Sequence, residues 1–261
     1  QIQVFLDGSD PNFANISASY ITSFIERENV MHLKAYLNRQ GREPINSPIE
    51  GKIRIWFNEN LESRNLIVPG IIGVIIMTVG AMLTSLVIAR EYENGTMETI
   101  KSLPVNALEF YAGKAIPYFG IAFADILIAI LIGQILFDIV MKASFWTLIG
   151  ASFLYISVAV NLGLLISSLT RSQLVANQLA PLATFLPSML LSDYVFPVVN
   201  MPALLQLATY IVPATYFTTV IKGVFLRNVD ITYLWGSCCI LAVMAVILAI
   251  LNIATLKKEG L

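Results

Sequence analysis

The strongest constraint on the fold of this chain is an uninterrupted apolar run from Leu66 to Ala89. These 24 residues contain no ionisable side chain. As an α-helix they would extend roughly 36 Å, which is longer than the ~30 Å hydrocarbon core of a bilayer. The run therefore predicts a membrane-spanning helix.

A charged block follows this run directly. Residues 90–98 read Arg-Glu-Tyr-Glu-Asn-Gly-Thr-Met-Glu. A charged, helix-forming segment at the point where a helix leaves the membrane suggests a contact site for a component outside the bilayer. We therefore expect this chain to be one subunit of a complex that is driven by a partner.

Composition favours a membrane protein. Hydrophobic residues make up 57% of the chain and charged residues 13%, and the mean hydropathy is +0.75. The formal net charge of -1 offers no basic patch, so no nucleic-acid partner is expected. Because residues 1–65 are polar and residues 66–261 mostly apolar, we predict a small N-terminal domain over 1–65 and a membrane domain over 66–261.

The N-terminal domain reads as α+β. Residues 2–6 alternate apolar and polar side chains before an Asp-Gly turn, and residues 53–57 form a second candidate strand. Between them, Asp10 precedes Pro11 as a helix N-terminus, and apolar residues at helical spacing predict a helix to about Leu37. One helix and two strands make a small core.

The membrane domain reads as all-α and polytopic. Five apolar segments predict spans: 66–89, 116–137, 147–169, 174–191 and 235–256. Segment 201–226 differs, because Pro202 and Pro213 split it and Lys222 interrupts its second half. Its pieces are too short to span and are predicted to be re-entrant or interfacial helices.

The positive-inside rule gives an orientation. With loop 90–115 inside, six basic residues fall on the cytoplasmic side and three on the opposite side. The cytoplasmic residues are Arg90, Lys101, Lys114, Arg171, Lys257 and Lys258, and the others are Lys142, Lys222 and Arg227. This places the N-terminal domain outside the cell and the C-terminus in the cytoplasm.

The sequence lacks the residues that most enzymes need. His32 is the only histidine, and there is no Cys/His cluster for a metal. Neither Gly51-Lys52 nor Gly113-Lys114 fits a P-loop, because Asn46 and Leu108 stand where the first glycine is required. We therefore expect a protein that is not an enzyme and binds no cofactor of its own.

Several polar residues lie within the predicted spans. Asp125 is near the middle of span 116–137, where an acidic group costs about 2.5 to 3.5 kcal/mol on insertion scales. Asp125, Asn177 and Gln178 are candidates for a translocation path, and hydrogen bonding to a neighbouring helix is the alternative. For Asn161 and Asn252, an interhelical hydrogen bond is the preferred interpretation.

Three stretches resemble the ABC-2 type export permeases. The run from Arg90 to Val105, followed by Glu109 and Gly113-Lys114, is similar to the segment after the second span of that family. Residues 56–70 resemble its entrance into that span, and residues 196–217 resemble its last extracytoplasmic turn. Asp193 departs from the pattern, since such sequences usually show glycine after Leu-Ser.

The resemblance implies a six-span subunit whose first span and part of its outer domain lie upstream of Gln1. It implies pairing with a second permease, identical or related, and two cytoplasmic ABC ATPase subunits that bind the ATP and Mg²⁺. Segment 91–105 would be the coupling helix, with Met97 and Ile100 as its apolar docking face. The implied coupling residues are Arg90, Glu91, Glu93, Gly95, Thr96, Met97, Glu98 and Pro104.

The function expected from this resemblance is outward transport across a bacterial cytoplasmic membrane, in contact with membrane lipid. The N-terminal domain is a candidate to hand substrate to a periplasmic adaptor. Two other classes remain open. An ion-coupled secondary transporter predicts more intramembrane carboxylates or inverted repeats. A membrane-anchored sensor or scaffold would bind ligand through its outer domain.

Overall fold

The computed structural model describes residues 11–40, 64–137, 144–193, 195–196, 198, 201–227 and 231–260. The chain divides into two compact units, residues 1–54 and 55–261. The first contains one described helix, α1 (Pro11–Arg39), which matches the helix predicted from Pro11 to about Leu37. Its exposed face carries large apolar side chains, including Tyr20 and Phe24.

The α+β character predicted for the N-terminal domain is not supported. Both predicted strands, residues 2–6 and 53–57, lie outside the described residues, and the described part of this unit is helical. Alternating residues favour a strand only when a neighbouring strand pairs with them, and a short sequence pattern carries no information about such a neighbour. The described residues are therefore all-α.

The second unit is a bundle of helices. Their bounds are α2 (Arg64–Glu93), α3 (Thr96–Ser102), α4 (Ala107–Phe137), α5 (Phe145–Thr170), α6 (Gln173–Leu191), α7 (Ala203–Thr209), α8 (Pro213–Lys222), a π-helical turn (Gly223–Arg227) and α9 (Ile231–Lys258). Five of these, α2, α4, α5, α6 and α9, contain apolar stretches long enough to cross a membrane. They correspond to the five predicted spans, which confirms the polytopic membrane domain.

The segment that was predicted to be re-entrant or interfacial is sharply bent. Helix α7 and the stretch Pro213–Phe225 meet at 82°. Pro213 is the first residue of α8, where its missing N–H leaves no hydrogen bond unmade. Taken together, the two pieces form either a broken sixth span or a re-entrant loop.

Helix α2 is at the centre of the membrane unit. It packs against α4, α5, α6 and α8, and together with α5 it is the most buried of the spans. Helices α4, α6 and α9 bury much less of their surface within the described residues. Their outer faces therefore remain available to lipid or to another chain.

The contact between α2 and α5 depends on small residues. A Cβ atom added to Gly163 would lie 2.3 Å from the carbonyl oxygen of Ala81 and 2.0 Å from the hydroxyl of Thr84. One turn further along, the Ser167 hydroxyl accepts hydrogen bonds from the N–H groups of Ile88 and Ala89, at 2.9 and 2.8 Å. Close backbone approach through small residues is how helices associate within a bilayer, where apolar burial between helices contributes little.

A second set of contacts, made by Tyr155 of α5, connects α5 to α2 and α8. Its ring stacks on Phe217 of α8 with a centroid distance of 4.1 Å, and its hydroxyl donates to the carbonyl oxygen of Gly73 in α2 at 3.0 Å. Both side chains are fully buried. The bent segment is thereby fixed to the two central helices.

We predict that Gly163→Ala destabilises the bundle by about 1 to 3 kcal/mol, because the added methyl group must displace α2 backbone. The measurement is the free energy of unfolding in mixed detergent micelles. Gly150→Ala, also in α5, is the matched control, since nothing lies within 4 Å of its added Cβ. Equal stabilities of the two variants would contradict this account of the contact.

Candidate functional site

The predicted coupling segment is divided between two helices. Helix α2 continues to Glu93, so Arg90, Glu91 and Glu93 belong to its last turn, and α3 begins only at Thr96. Gly95 separates them with a φ of 72°. The left-handed conformation is accessible to glycine at little cost, which explains why the bend falls there. The bend expected at Gly95 before the docking helix is therefore present, and α3 covers only Thr96–Ser102 of the segment 91–105.

Glu91 connects three helices at this end of the bundle. One carboxylate oxygen lies 2.5 Å from the Lys114 ammonium of α4, and the other accepts a hydrogen bond from the Thr96 hydroxyl of α3. The same hydroxyl also donates to the Glu91 carbonyl oxygen at 3.2 Å. Glu91 and Thr96 therefore fix α3 to α2 and α4.

Glu93 makes a parallel connection to α6. Its two carboxylate oxygens accept hydrogen bonds from the backbone N–H of Gln173 at 2.7 Å and from the Gln173 side-chain amide at 2.6 Å. Gln173 is the first residue of α6. A carboxylate at a helix N-terminus satisfies free N–H groups and interacts favourably with the helix dipole.

Met97 packs against this chain and not, as we expected, against a partner. Its side chain is only 1% exposed and packs in the core of its own membrane unit, and Ile100 is half-buried against the same core. The proposed apolar docking face is thus occupied by this chain. A seven-residue helix has one apolar side, and its pattern does not reveal whether that side meets the same chain or a partner.

Glu98, Pro104 and Arg90 remain exposed. Glu98 lies in the first turn of α3, and Pro104 lies in the turn between α3 and α4. Within the described part of the chain, neither Glu98 nor Arg90 forms an ion pair. Glu93, Gly95 and Thr96 are exposed as well, but the Glu93 carboxylate and the Thr96 hydroxyl already form hydrogen bonds within this chain.

Tyr92 connects α3 to the C-terminal ends of α5 and α9, and the sequence analysis did not predict this connection. The Lys101 ammonium lies 5.8 Å and the Arg171 guanidinium 5.2 Å from the centre of its ring, both within cation–π range. Arg171 also pairs with Glu259 at 2.9 Å, and burial raises the pKa of the Glu259 carboxyl. Lys101 and Arg171 were visible in the sequence only as basic residues that set the orientation.

The polar residues of the spans fall into two groups. Asn161 and Asn252 are buried, and the Asn252 amide donates to the Asn161 carbonyl oxygen at 2.9 Å. The interhelical role predicted for them is confirmed. Asp125 of α4 and Asn177 and Gln178 of α6, the candidate path residues, are all exposed on the surface of the unit.

Among these exposed residues, Asn177 contributes to a groove. The groove has a volume of about 280 Å³ and runs between α2, α4 and α6. Asn177 lines it together with Arg90 and Tyr118, whereas Asp125 and Gln178 do not. This groove therefore does not bring the three predicted path residues together. Within the described residues, no group of three or more His, Cys, Asp or Glu side chains is arranged to hold a metal ion.

Five apolar helices of spanning length around a central pair define a polytopic helical membrane protein. The sequence profile described as ABC-2 family transporter protein matches residues 1–254. The chain therefore belongs to the ABC-2 transporter family. The motif-based resemblance found in the sequence is confirmed.

Curated relatives agree with this family. The chain is 37% identical over 227 residues to the "Probable multidrug ABC transporter permease YbhS" of Escherichia coli K12, covering 87% of this chain and 59% of the relative. It is 33% identical over 240 residues to the "Probable multidrug ABC transporter permease YbhR" of the same organism, covering 90% and 62%. ABC transporter G family member 20 of Dictyostelium discoideum is 20% identical over 256 residues, covering 98% and 34%.

The chain thus spans about three fifths of the length of the two bacterial relatives. No solved structure matches it significantly.

We predict that Gly95→Ala destabilises the α2–α3 connection by roughly 1 to 2 kcal/mol, because alanine pays the steric cost of the left-handed conformation. The unfolding free energy in micelles measures this. Gly95→Asn should recover part of the loss, since asparagine tolerates positive φ. Gly113→Ala, in regular helix with open space around its Cβ, is the control and should be neutral or stabilising.

Proposed function

We propose that this chain is the transmembrane subunit of an ABC-2 exporter, which moves substrate outward using ATP hydrolysed by separate cytoplasmic ATPase subunits. The observation that carries the proposal is α3, a short helix at the exit of the central span, with Glu98 exposed and Met97 anchored in the bundle. This element can bind a soluble partner on one side and move with the membrane helices on the other.

The contacts of α3 would allow it to transmit a displacement to the membrane helices. Glu91 bonds to Lys114 of α4 and Thr96 of α3, while Met97 fills the core between the helices. A packed core deforms little, so a displacement of α3 is passed on to α2 and α4 as a shift of whole helices. Docking of an ATPase would use the exposed Arg90, Glu98 and Pro104, and the remaining implied residues would hold α3 in place.

The basic residues support an orientation with α3 in the cytoplasm of a bacterial cell. Lys101 lies in the last turn of α3, Lys114 lies near the start of α4, and Lys257 and Lys258 end α9. The N-terminal domain would then be extracytoplasmic and able to meet a periplasmic adaptor, and the C-terminus would be cytoplasmic. A second permease, identical or related, would complete the transporter and bind the exposed faces of the outer helices.

We propose a substrate class from the names of the relatives. Because YbhS and YbhR carry the description "multidrug", we propose that this chain also exports several chemically different compounds. Asp125, Asn177 and Gln178 would provide polar points along the route, with α2 and α6 as its walls. An apolar route with few polar contacts suits compounds that share hydrophobicity rather than one shape.

The competing functions have less support. A secondary transporter needs ionisable groups inside the membrane, and Asp125 is the only carboxylate near the middle of a described span. A sensor or scaffold gives no reason for α3 to be held to both α2 and α4 through Glu91.

We predict that Glu98→Lys abolishes ATP-driven transport in the full-length protein and weakens capture of the ATPase, because it reverses the charge of an exposed side chain on α3. The measurements are ATPase co-purification from membranes and efflux from cells. Glu26→Lys makes the same charge change on the exposed surface of α1 and should alter neither. If Glu98→Lys transports normally and no ATPase co-purifies with the unaltered protein, the proposal fails.

We predict that Asp125→Asn leaves assembly intact, because the exposed carboxylate makes no hydrogen bond or ion pair within the described residues. On the path hypothesis, transport falls while the yield of the permease–ATPase complex stays constant. The measurements are complex recovery by size-exclusion chromatography and efflux rate. Unchanged efflux would remove Asp125 from the translocation path.

A further inference from the structure

Helix α3 is connected to the rest of the membrane unit at both of its ends. At its N-terminal end, the Thr96 hydroxyl donates to the Glu91 carboxylate, which also pairs with Lys114 of α4. In its last turn, the Lys101 ammonium lies 5.8 Å from the centre of the Tyr92 ring. Thr96 and Lys101 are about 7.5 Å apart along the helix axis, at 1.5 Å per residue. We call the first set, from Thr96 to Lys114, the α4 contacts.

The contact at the other end of α3 continues from Tyr92 to two further parts of the bundle. The Arg171 guanidinium lies 5.2 Å from the centre of the Tyr92 ring, and Arg171 is the residue that ends α5, two residues before α6 begins. Arg171 also pairs with Glu259 at 2.9 Å, directly after the end of α9. Lys101, Tyr92, Arg171 and Glu259 thus form a continuous series from α3 to α9, which we call the α9 contacts.

Stability alone does not explain why Glu259 is part of this series. Its side chain is only 8% exposed, yet one of its two carboxylate oxygens is buried without a hydrogen-bond partner among the described residues. An unpartnered buried oxygen lowers stability. The pair with Arg171 contributes little in return, because the Arg171 side chain is 58% exposed to solvent. Buried polar atoms that lower stability are typical of positions where function requires them.

The ring of Tyr92, and not its hydroxyl, makes the contacts of this side chain in the series. The hydroxyl is buried and has no hydrogen-bond partner within the part of the chain that the structure describes. Both cations lie within cation–π range of the ring. Phenylalanine at this position would therefore keep both contacts, whereas leucine would remove both.

We propose that the α9 contacts transmit a displacement of α3 to α9 independently of the α4 contacts, with Tyr92, Arg171 and Glu259 as positioning residues. This role rests on the proposed function, in which an ATPase docks on α3. Ion pairs and cation–π contacts have preferred geometries, so a shift of Lys101 with α3 displaces the Tyr92 ring and then Arg171. Because Arg171 pairs with the residue after α9, the end of α9 moves with it.

The test uses the full-length permease, free and in complex with the ATPase that co-purifies from membranes. Hydrogen–deuterium exchange is measured by mass spectrometry in residues 107–115, at the start of α4, and in residues 253–260, at the end of α9. Exchange reports local opening of the backbone, so its change on ATPase binding identifies the segments that respond to docking. In the unaltered protein we expect binding to change the exchange rate about fivefold in both segments, at the lower end of typical couplings between sites.

Two substitutions should separate the two sets of contacts. Glu259→Leu keeps an apolar side chain in the buried position and removes the ion pair, so it should abolish the response of residues 253–260 and leave that of residues 107–115. Glu259→Gln keeps an acceptor for Arg171 and should retain part of the response. Lys114→Gln should have the opposite effect, with loss of the response at the start of α4 only. Lys258→Gln, at the exposed neighbouring position, is the control and should alter neither response.

Tyr92 provides a second test that does not depend on how the Glu259 variants fold. Tyr92→Leu should abolish the response of residues 253–260, and Tyr92→Phe should retain it. Recovery of the ATPase complex should be the same for both variants. Each variant is compared with itself, free and bound, so a change in stability alone does not produce the expected loss.

The outcomes that overturn the proposal are distinct from one another. An unchanged response of residues 253–260 in Glu259→Leu or in Tyr92→Leu shows that the α9 contacts transmit nothing. Loss of both responses in either variant shows that α3 acts through one network and not through separate contacts. If residues 253–260 of the unaltered complex do not respond to the ATPase, this role is wrong while the exporter function stands. If no ATPase co-purifies with the unaltered protein, the proposed function fails and this role fails with it.

Discussion

The close contact between α2 and α5 at Gly163 is the interaction on which the membrane unit depends. Apolar side chains gain little by leaving lipid for a neighbouring helix, so tight backbone approach must supply the specificity. Gly163 allows Ala81 and Thr84 to approach the α5 backbone, and Ser167 extends the contact by one turn. Because α2 is held in this way, it can serve as the central support for α4, α6 and α8.

The polar contacts of the unit are concentrated at the end where α3 lies. Glu91, Glu93 and Tyr92 occupy the last turn of α2 and reach α4, α6 and the ends of α5 and α9, respectively. Interactions of this kind are directional and have discrete alternatives, unlike the apolar contacts along the spans. The proposed coupling role requires such an arrangement, because a displacement at this end would then change polar contacts to all the long helices.

The sequence predicted the spans well, because apolar length is a direct consequence of bilayer thickness. It placed the start of α4 at 116, whereas the helix begins at Ala107. The charged residues Glu109 and Lys114 hid its first turns, although a helix can continue past the membrane boundary. The pairing of Glu91 with Lys114 was not predictable, since it joins residues 23 apart and requires the path of the chain through α3. For the same reason, the burial of Met97 was missed.

Helix α6 illustrates how a weakly buried span can still have a defined position. The residues just beyond its two ends, Arg171 and Asp193, are the non-glycine residues with positive φ among those described, at 53° and 62°. Each also forms an ion pair, Arg171 with Glu259 at 2.9 Å and Asp193 with Lys222 at 2.6 Å. Asp193 departs from the glycine usual in similar sequences, yet aspartate tolerates the left-handed conformation and its charge holds the bent segment. Since α6 is fixed mainly at its ends and along α2, movement of its exposed face requires one of these end contacts to change.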